Sequence, residues 1–325
     1  MPPFRRLRIV LPGGSGQIGQ VLAKHFYQQG HCVTVLARNP RPSDWKTVAW
    51  NAYEMGNWAE VFDGCDVVVN LAGRSVNCRY SAQNRREILT SRTISTALVG
   101  QAIAHATHPP WLWMNASTAT IYRNSLDRPM DEVTGEIGGN EAGVPSKWRF
   151  SVEVARSWER ALQAANVPKT RRIALRSAMT MSPDTGGVFD RLLRLVRLGW
   201  GGSAGSGRQY VSWIHDVDFV RAIEFLIAHE EFEGAVNICS PHPIANRKFM
   251  SCLRQAWCTS YVGISSPEWL LSLGAMLLRT EPELVLKSRR VVPARLLNAG
   301  FEFHFPNWRG ACQDLVTRWR ELHAN

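Results

Sequence analysis

Four groups of residues in this chain have the types and spacing that chemistry needs. The first is a glycine run, Gly13, Gly16 and Gly19, in the stretch RLRIVLPGGSGQIGQVLAKHF. An apolar segment precedes it and an amphipathic one follows. That is the strand–turn–helix setting in which backbone N–H groups hold a diphosphate. In such a setting Gly13 permits the tight turn, Gly16 lets a pyrophosphate approach the backbone, and Gly19 lets the helix sit close to the sheet. The amides of Gln17 and Ile18 then face the phosphates. A glycine turn with no ligand is the alternative, but glycine at a helix start costs stability unless something needs the space.

The second group lies at the end of the next apolar run, where the chain reads Ala37–Arg38–Asn39–Pro40–Arg41. An acid at that point would hold the ribose hydroxyls of NAD(H). Here no acid is present, and the Arg38 guanidinium can pair with a 2′-phosphate, with Arg41 able to assist. The expected cofactor is therefore NADP(H), with NAD(H) as the second option. A solvated arginine beside a loop is the structural alternative. Leu71, Ala72 and Gly73 follow a third apolar run and let a nucleoside pack near the backbone; alone they signal only a strand ending in a turn.

The third group is STATIY, residues 117–122. A hydroxyl of Ser117 or Thr118 can orient a carbonyl or alcohol beside a nicotinamide, or can simply cap a turn. Hydride transfer to a carbonyl usually wants a phenol and an ammonium four positions apart on one helix face. The helix expected to carry them, Trp148 to Glu159, has Ser151 and Ala155 at those places, counting back from Glu159. Lys147 comes too early and Arg156 is one position off. The fourth group is VSWIHDVD, where His215 neighbours Asp216 and Asp218. Its near-neutral pKa makes it a candidate proton donor, or it ties a second lobe to the following helix. Glu153 reads as a solvated helix face. No metal site is expected, since there is no HExxH, paired-cysteine or clustered-carboxylate pattern.

The elements that must position these groups alternate in the first half. Strands are predicted at Arg8–Leu11, Cys32–Ala37, Asp66–Leu71, Trp111–Ala116 and near Leu175. Helices are predicted at Ile18–Gln29, Arg85–Ala106 and Ser151–Ala165. That alternation predicts an α/β fold, a Rossmann-type doubly wound parallel sheet. Residues 7–180 would form it, with sheet returns near Val211 and Val236 (211–240). From residue 181 the texture is loop-rich and then helical: Phe189–Leu198, Val217–His229, Asn246–Trp257, Pro267–Leu278, Glu283–Ser288 and Trp308–His323. Residues 181–325 are expected to form mainly a small, mostly helical C-terminal lobe over the carboxyl ends of the strands. Trp200, Tyr210, Trp213 and Trp269 are candidates for its pocket lining, although aromatics there are more often core.

Composition narrows the partners. The 325 residues carry a net charge of +11, yet the basic residues are scattered and no tail or nucleic-acid motif accompanies them. The charge suits attraction of anionic small molecules. A small-molecule substrate is expected, with no nucleic acid and no membrane, and a homodimer through a helix pair is an option this fold leaves open. Seven separated cysteines and no apolar leader before the first strand point to the cytoplasm.

On GGSGQIG (13–19), NLAG (70–73), STATIY (117–122) and the Trp158–Glu159 pair, the chain resembles the extended short-chain dehydrogenase/reductase superfamily. Further stretches narrow this to an atypical epimerase-like branch: SR at 91–92, PDTGG at 183–187, LGWGGSAGSGRQYVSWIHDVD at 198–218 and VVPARLLNAGFEFHFP at 291–306. The resemblance covers Arg8 to Leu322. It implies a Rossmann domain, a C-terminal domain of unknown function from about residue 262, and an NAD(P)-dependent oxidoreductase or nucleotide-sugar epimerase-like activity. It also implies that Thr118 holds the place of the catalytic Ser/Thr and that Arg38 is the residue linked to NADP preference. The Tyr and Lys of the superfamily have no counterpart at Ser151 and Ala155. A cofactor-binding protein without turnover therefore remains the alternative.

Overall fold

The computed structural model describes residues 6–258 and 283–324. Chain order gives β1 (Arg8–Pro12), α1 (Gln17–Gln28), β2 (Cys32–Ala37), β3 (Lys46–Ala49), β4 (Val67–Asn70), α2 (Ala82–His105) and β5 (Leu112–Thr118). Next come α3 (Ser146–Gln163), β6 (Arg171–Ser177), β7 (Met179–Met181) and α4 (Val188–Arg197). Then follow β8 (Tyr210–Val211), β9 (Trp213–His215), α5 (Asp216–Ala228), β10 (Gly234–Ile238), β11 (Ile244–Ala245) and α6 (Asn246–Trp257). After the undescribed residues come α7 (Glu283–Leu286), α8 (Ala294–Asn298) and α9 (Trp308–Leu322).

Seven strands form one sheet in the order β10-β6-β5-β4-β1-β2-β3, and every pair in it is parallel. Strand order reverses on either side of β1, which is where a doubly wound sheet opens a crevice at the carboxyl ends of its strands. Alternate residues feed two separate cores. Ile9, Leu11, Val67, Val69, Leu112 and Met114 pack with α1 and α5. Val10, Val68 and Trp113 pack with α2, α3 and the 3-10 turn Asn57–Phe62. The valine run at 67–69 has no polar face because both faces are covered.

The second lobe has its own core, built on Phe189 and Leu193 of α4, Phe249 and Leu253 of α6, and Trp308 and Leu315 of α9. Trp213 belongs to that core and is fully buried, edge-on to Trp308. It therefore lines no pocket. Trp200 is exposed, and Trp269 lies with the expected helix Pro267–Leu278 outside the described residues.

Two expectations differ from the structure. The strand expected near Val211 does not return to the main sheet. It splits at Ser212, whose hydroxyl donates to the Arg289 carbonyl (2.8 Å) and accepts from the Val291 amide (2.9 Å). β8 then pairs with β11, and β9 with β7, in two small sheets. The edge strand β3 went unpredicted: it is four residues long, half exposed, and follows a proline-rich loop that gives no alternation to read.

One close approach fixes the crevice. Gly13 has φ +75°, and a Cβ there would lie 2.6 Å from the Ala72 Cα. The Gly13 amide donates to the Leu36 carbonyl and the Leu71 amide to the Pro12 carbonyl. The glycine loop is thus wedged between the ends of β2 and β4. A Gly13→Ala variant combines left-handed strain with a backbone clash, and is expected to lose about 2 kcal/mol or more in urea unfolding. Wild-type stability in that variant would refute this packing.

Candidate functional site

The crevice at the amino end of α1 presents backbone donors without acceptors. The first helical hydrogen bond runs from Gln20 to the Gly16 carbonyl, so the N–H groups of Gln17 and Ile18 have no acceptor among the described residues. Gly19 packs against Gly14, with a Cβ at 2.4 Å from the Gly14 Cα. The closeness that Gly19 permits is thus first to the loop itself. Gly16 is different. Its backbone is extended (φ −73°, ψ 166°), it is exposed, and a Cβ there would meet nothing nearer than the Gly13 carbonyl at 3.6 Å. The protein itself does not require a glycine at 16. The Gln17 side chain lies against Gly187 at the start of α4, and its buried Nε2 has no acceptor.

Across the crevice the NLAG turn is held from beneath. Asn70 Oδ1 accepts from the Ala72 amide (3.1 Å), while Asn70 Nδ2 donates to Asn115 Oδ1 (2.7 Å). Thr96 donates to the same Asn115 oxygen (3.2 Å) and accepts from Trp158 Nε1 (3.0 Å). This buried network ties β4, β5, α2 and α3 together. Arg38 follows β2 directly, is exposed, and makes no hydrogen bond or ion pair with the described residues.

Thr118 closes β5 and is half buried. Its Oγ1 accepts from the Thr120 amide (3.2 Å), so the hydroxyl caps the short turn at 119–121 while its own proton remains free to donate. Ser117 has another job. It donates to Glu159 Oε1 (2.7 Å), and Glu159 takes both nitrogens of a two-point contact from Arg176 (2.8 Å each). Burial opposes the Arg176 charge, and Glu159 overcomes it and holds the guanidinium above its ordinary range. Arg176 continues to the Tyr122 hydroxyl (2.9 Å), which donates to Asn237 (3.0 Å), and burial raises the phenol's pKa. These contacts are internal and lock the ends of β5, β6 and β10.

On α3, Ser151 donates to Glu283 Oε2 (2.5 Å), and Ala155 is fully buried beside Ile121, Tyr122 and Val291. Sequence reasoning missed the residues that gather there from the far end of the chain. Lys287 Nζ donates to the Thr120 carbonyl (2.8 Å) and Arg289 Nε to Thr120 Oγ1 (3.1 Å). Burial, reinforced by Arg289, lowers the Lys287 ammonium to about 8. The stretch ELVLKSRRVV carries the signal only as an unusual run of cations in an apolar setting. Arg92, singled out only within the SR stretch at 91–92 and given no role, lies against Gly73 and above the Trp158 ring.

His215 does not join this group. It is fully buried, stacked on Phe305 (centroids 3.9 Å), with Nε2 on Asp314 (2.9 Å) and Nδ1 accepting from the Val217 amide (3.2 Å). Both ring nitrogens are engaged inside the protein, so the expectation of a proton donor gives way to a joint between α5 and α9. Asp216 pairs with Arg318 (2.9 and 2.7 Å), and Asp218 accepts from the His304 and Phe305 amides (2.8 Å each). Glu153 is exposed on α3.

A parallel doubly wound sheet, an amide-lined glycine loop at its switch point and a hydroxyl at the end of β5 define a dinucleotide-binding class of protein. Residues 9–239 match the NAD dependent epimerase/dehydratase family, and residues 266–315 match a domain of unknown function, DUF1731. The chain belongs to the NAD dependent epimerase/dehydratase family. Epimerase family protein SDR39U1 of Mus musculus is 29% identical over 321 residues, covering 95% of this chain and 100% of the mouse protein. Epimerase family protein ML0860 of Mycobacterium leprae is 31% identical over 304 residues, 92% of each chain. The crystal structure of human SDR39U1 with NADPH superposes with a TM-score of 0.81 at 27% identity, covering 96% of this chain and 99% of that one. No helix among the described residues is long and apolar enough to cross a membrane.

Burial holds the His215 pKa below its ordinary 6.5, against the pull of Asp216 and Asp314. Below that value the unfolded chain binds the proton that the folded ring refuses, so stability falls as pH drops through 6.5. Denaturation curves between neutral pH and mild acid should show this slope, and His215→Gln should flatten it while lowering the neutral-pH plateau. An identical slope in the variant would remove the assignment.

Proposed function

We propose that this protein binds NADP(H) in the crevice between β1 and β4 and acts as an oxidoreductase or epimerase-like enzyme on a small polar substrate. The observation that carries the reading is the pairing of acceptor-less amides at Gln17 and Ile18 with open space at Gly16. A diphosphate fits both features, since it supplies the acceptors and occupies the space. Gly13 and Gly19 shape that loop. Leu71, Ala72 and Gly73 form the opposite wall for the ribose, and Arg38, which has no partner among the described residues, is the cation for a 2′-phosphate. The NADPH of the human relative supports the same choice.

When bound, the nicotinamide supplies the hydride chemistry. Thr118 then does the orienting, because its hydroxyl proton is free for a substrate oxygen. No phenol stands at Ser151, whose hydroxyl is turned to Glu283. A missing matched acid–base group removes roughly two to four orders of magnitude in rate. That contact also favours a second reading, a protein that holds NADP(H) without turnover. Nicotinamide absorbance with a panel of keto-sugars and quinones separates the two. Turnover that Thr118→Ala reduces supports the enzyme, whereas tight binding with no turnover supports the second reading.

Calorimetric titration tests the cofactor site. Arg38→Ser should weaken NADPH about tenfold to a hundredfold and leave NADH nearly unchanged. Gly16→Val should impair both nucleotides while changing unfolding stability by about 1 kcal/mol or less. Absence of heat with either NADPH or NADP⁺ on folded wild-type protein would overturn the proposal.

A further inference from the structure

Arg92 is a cation to which the described residues give no acid. It sits on α2 with its guanidinium 4.9 Å above the Trp158 ring and so close to Gly73 that a Cβ there would lie 3.2 Å from its Cζ. Of its five donors, one is used within the protein, Nη1 to the Ile88 carbonyl (2.9 Å). No carboxylate lies within ion-pair distance among the described residues. Burial lowers its pKa to about 10, and the groups that pull the other way are Tyr80 and Cys78 rather than any acid. Yet the side chain is only half buried, so solvent, or a ligand, reaches it.

A second guanidinium shares the neighbourhood. Arg289 is anchored on Thr120 Oγ1 and already faces the Glu283 carboxylate, and Tyr80 lies within electrostatic range of both arginines. A guanidinium held with most of its donors free in a protein-lined recess is costly unless an anion meets it. The place matters too, because Gly73 ends the turn that faces the glycine loop, and Thr120 follows Thr118.

We infer that Arg92 is an anion-holding residue of the crevice and takes a carboxylate or phosphate of a bound ligand. The donor would be the fork of Arg92, stiffened by Trp158 below and Gly73 beside it. Trp158 is itself fixed through Thr96, so the α3 pair Trp158–Glu159 would serve binding as well as packing. The anion has two possible sources, the diphosphate of the dinucleotide or an acid group on the substrate. The inference rests on the proposed function only for that choice.

The test uses inorganic pyrophosphate, oxalate and NADPH as probes on the full chain, by calorimetry, with and without saturating NADP⁺. Wild-type protein should bind at least one small anion, and Arg92→Gln should weaken that binding roughly tenfold to a hundredfold at unchanged melting temperature. An equal loss of NADPH affinity assigns the anion to the cofactor. Unchanged NADPH affinity with lost oxalate binding to the NADP⁺-saturated protein assigns it to the substrate. If the Gln variant does not fold, Arg92→Lys, which keeps the charge but not the fork, should still weaken the anion several-fold. Equal anion affinity in wild type and variant, or no anion bound by wild type under either condition, overturns the inference. Because the small anions are also titrated without nucleotide, failure of NADPH binding alone is seen separately.

Discussion

The contact between Gly13 and the backbone of Ala72 governs the geometry of everything at this end of the sheet. At a virtual Cβ distance of 2.6 Å, no other residue type leaves the ends of β1 and β4 where they are. Hydrogen bonds from the same turns then set the height of each wall: Gly13 to Leu36, Leu71 to Pro12, and Ala72 to Asn70. The floor of the crevice is therefore specified by backbone groups and by one buried side chain, Asn70. Asn70 and Asn115 bond to each other beneath it, a fully buried polar pair that is stable only because Thr96 and the Ala72 amide complete it. Precision in the walls of the crevice follows from such over-determination.

The second determinant is the return of the chain after β11. The Glu283–Val292 stretch is stitched to the loop after β5 by backbone groups: Met130 with Arg290 and Val292, and Ser125 with Ser288. Lys287 and Arg289 arrive as part of that seam. Their positive charge is placed beside Thr120 by pairing of main chains some 160 residues apart, so the side chains need no helix periodicity to converge. The price of this arrangement is desolvation of two cations, visible in their lowered pKa values.

Much of the fold could be read from the residues. The run Val67–Val69, the glycine spacing and the amphipathic stretch that becomes α1 each answer to a local rule, and local rules are what a sequence displays. The same is true of Ser151 and Ala155, whose departure from a phenol–ammonium pair needs only counting. What could not be read depends on distant partners. His215 stands beside two acids in the chain, but its Nε2 meets Asp314, and those neighbours are claimed by Arg318 and by the His304 and Phe305 amides. Val211 had the composition of a sheet strand, and Ser212 was recruited by Arg289 and Val291 instead.

The loss of the phenol–ammonium pair is built into the packing around α3. Ala155 has no exposed surface and is enclosed by Ala119, Ile121, Tyr122 and Val291. A lysine there would drive an ammonium into the apolar side chains that now enclose the alanine methyl, a costly desolvation. Ser151, one turn earlier, is already engaged with Glu283 from the C-terminal seam. The space a relay would need has thus been closed from both ends, by alanine-sized packing on one side and by the returning chain on the other. Thr120, whose amide donates to the Thr118 hydroxyl, is met by Lys287 and Arg289, and the Glu283 carboxylate faces both cations.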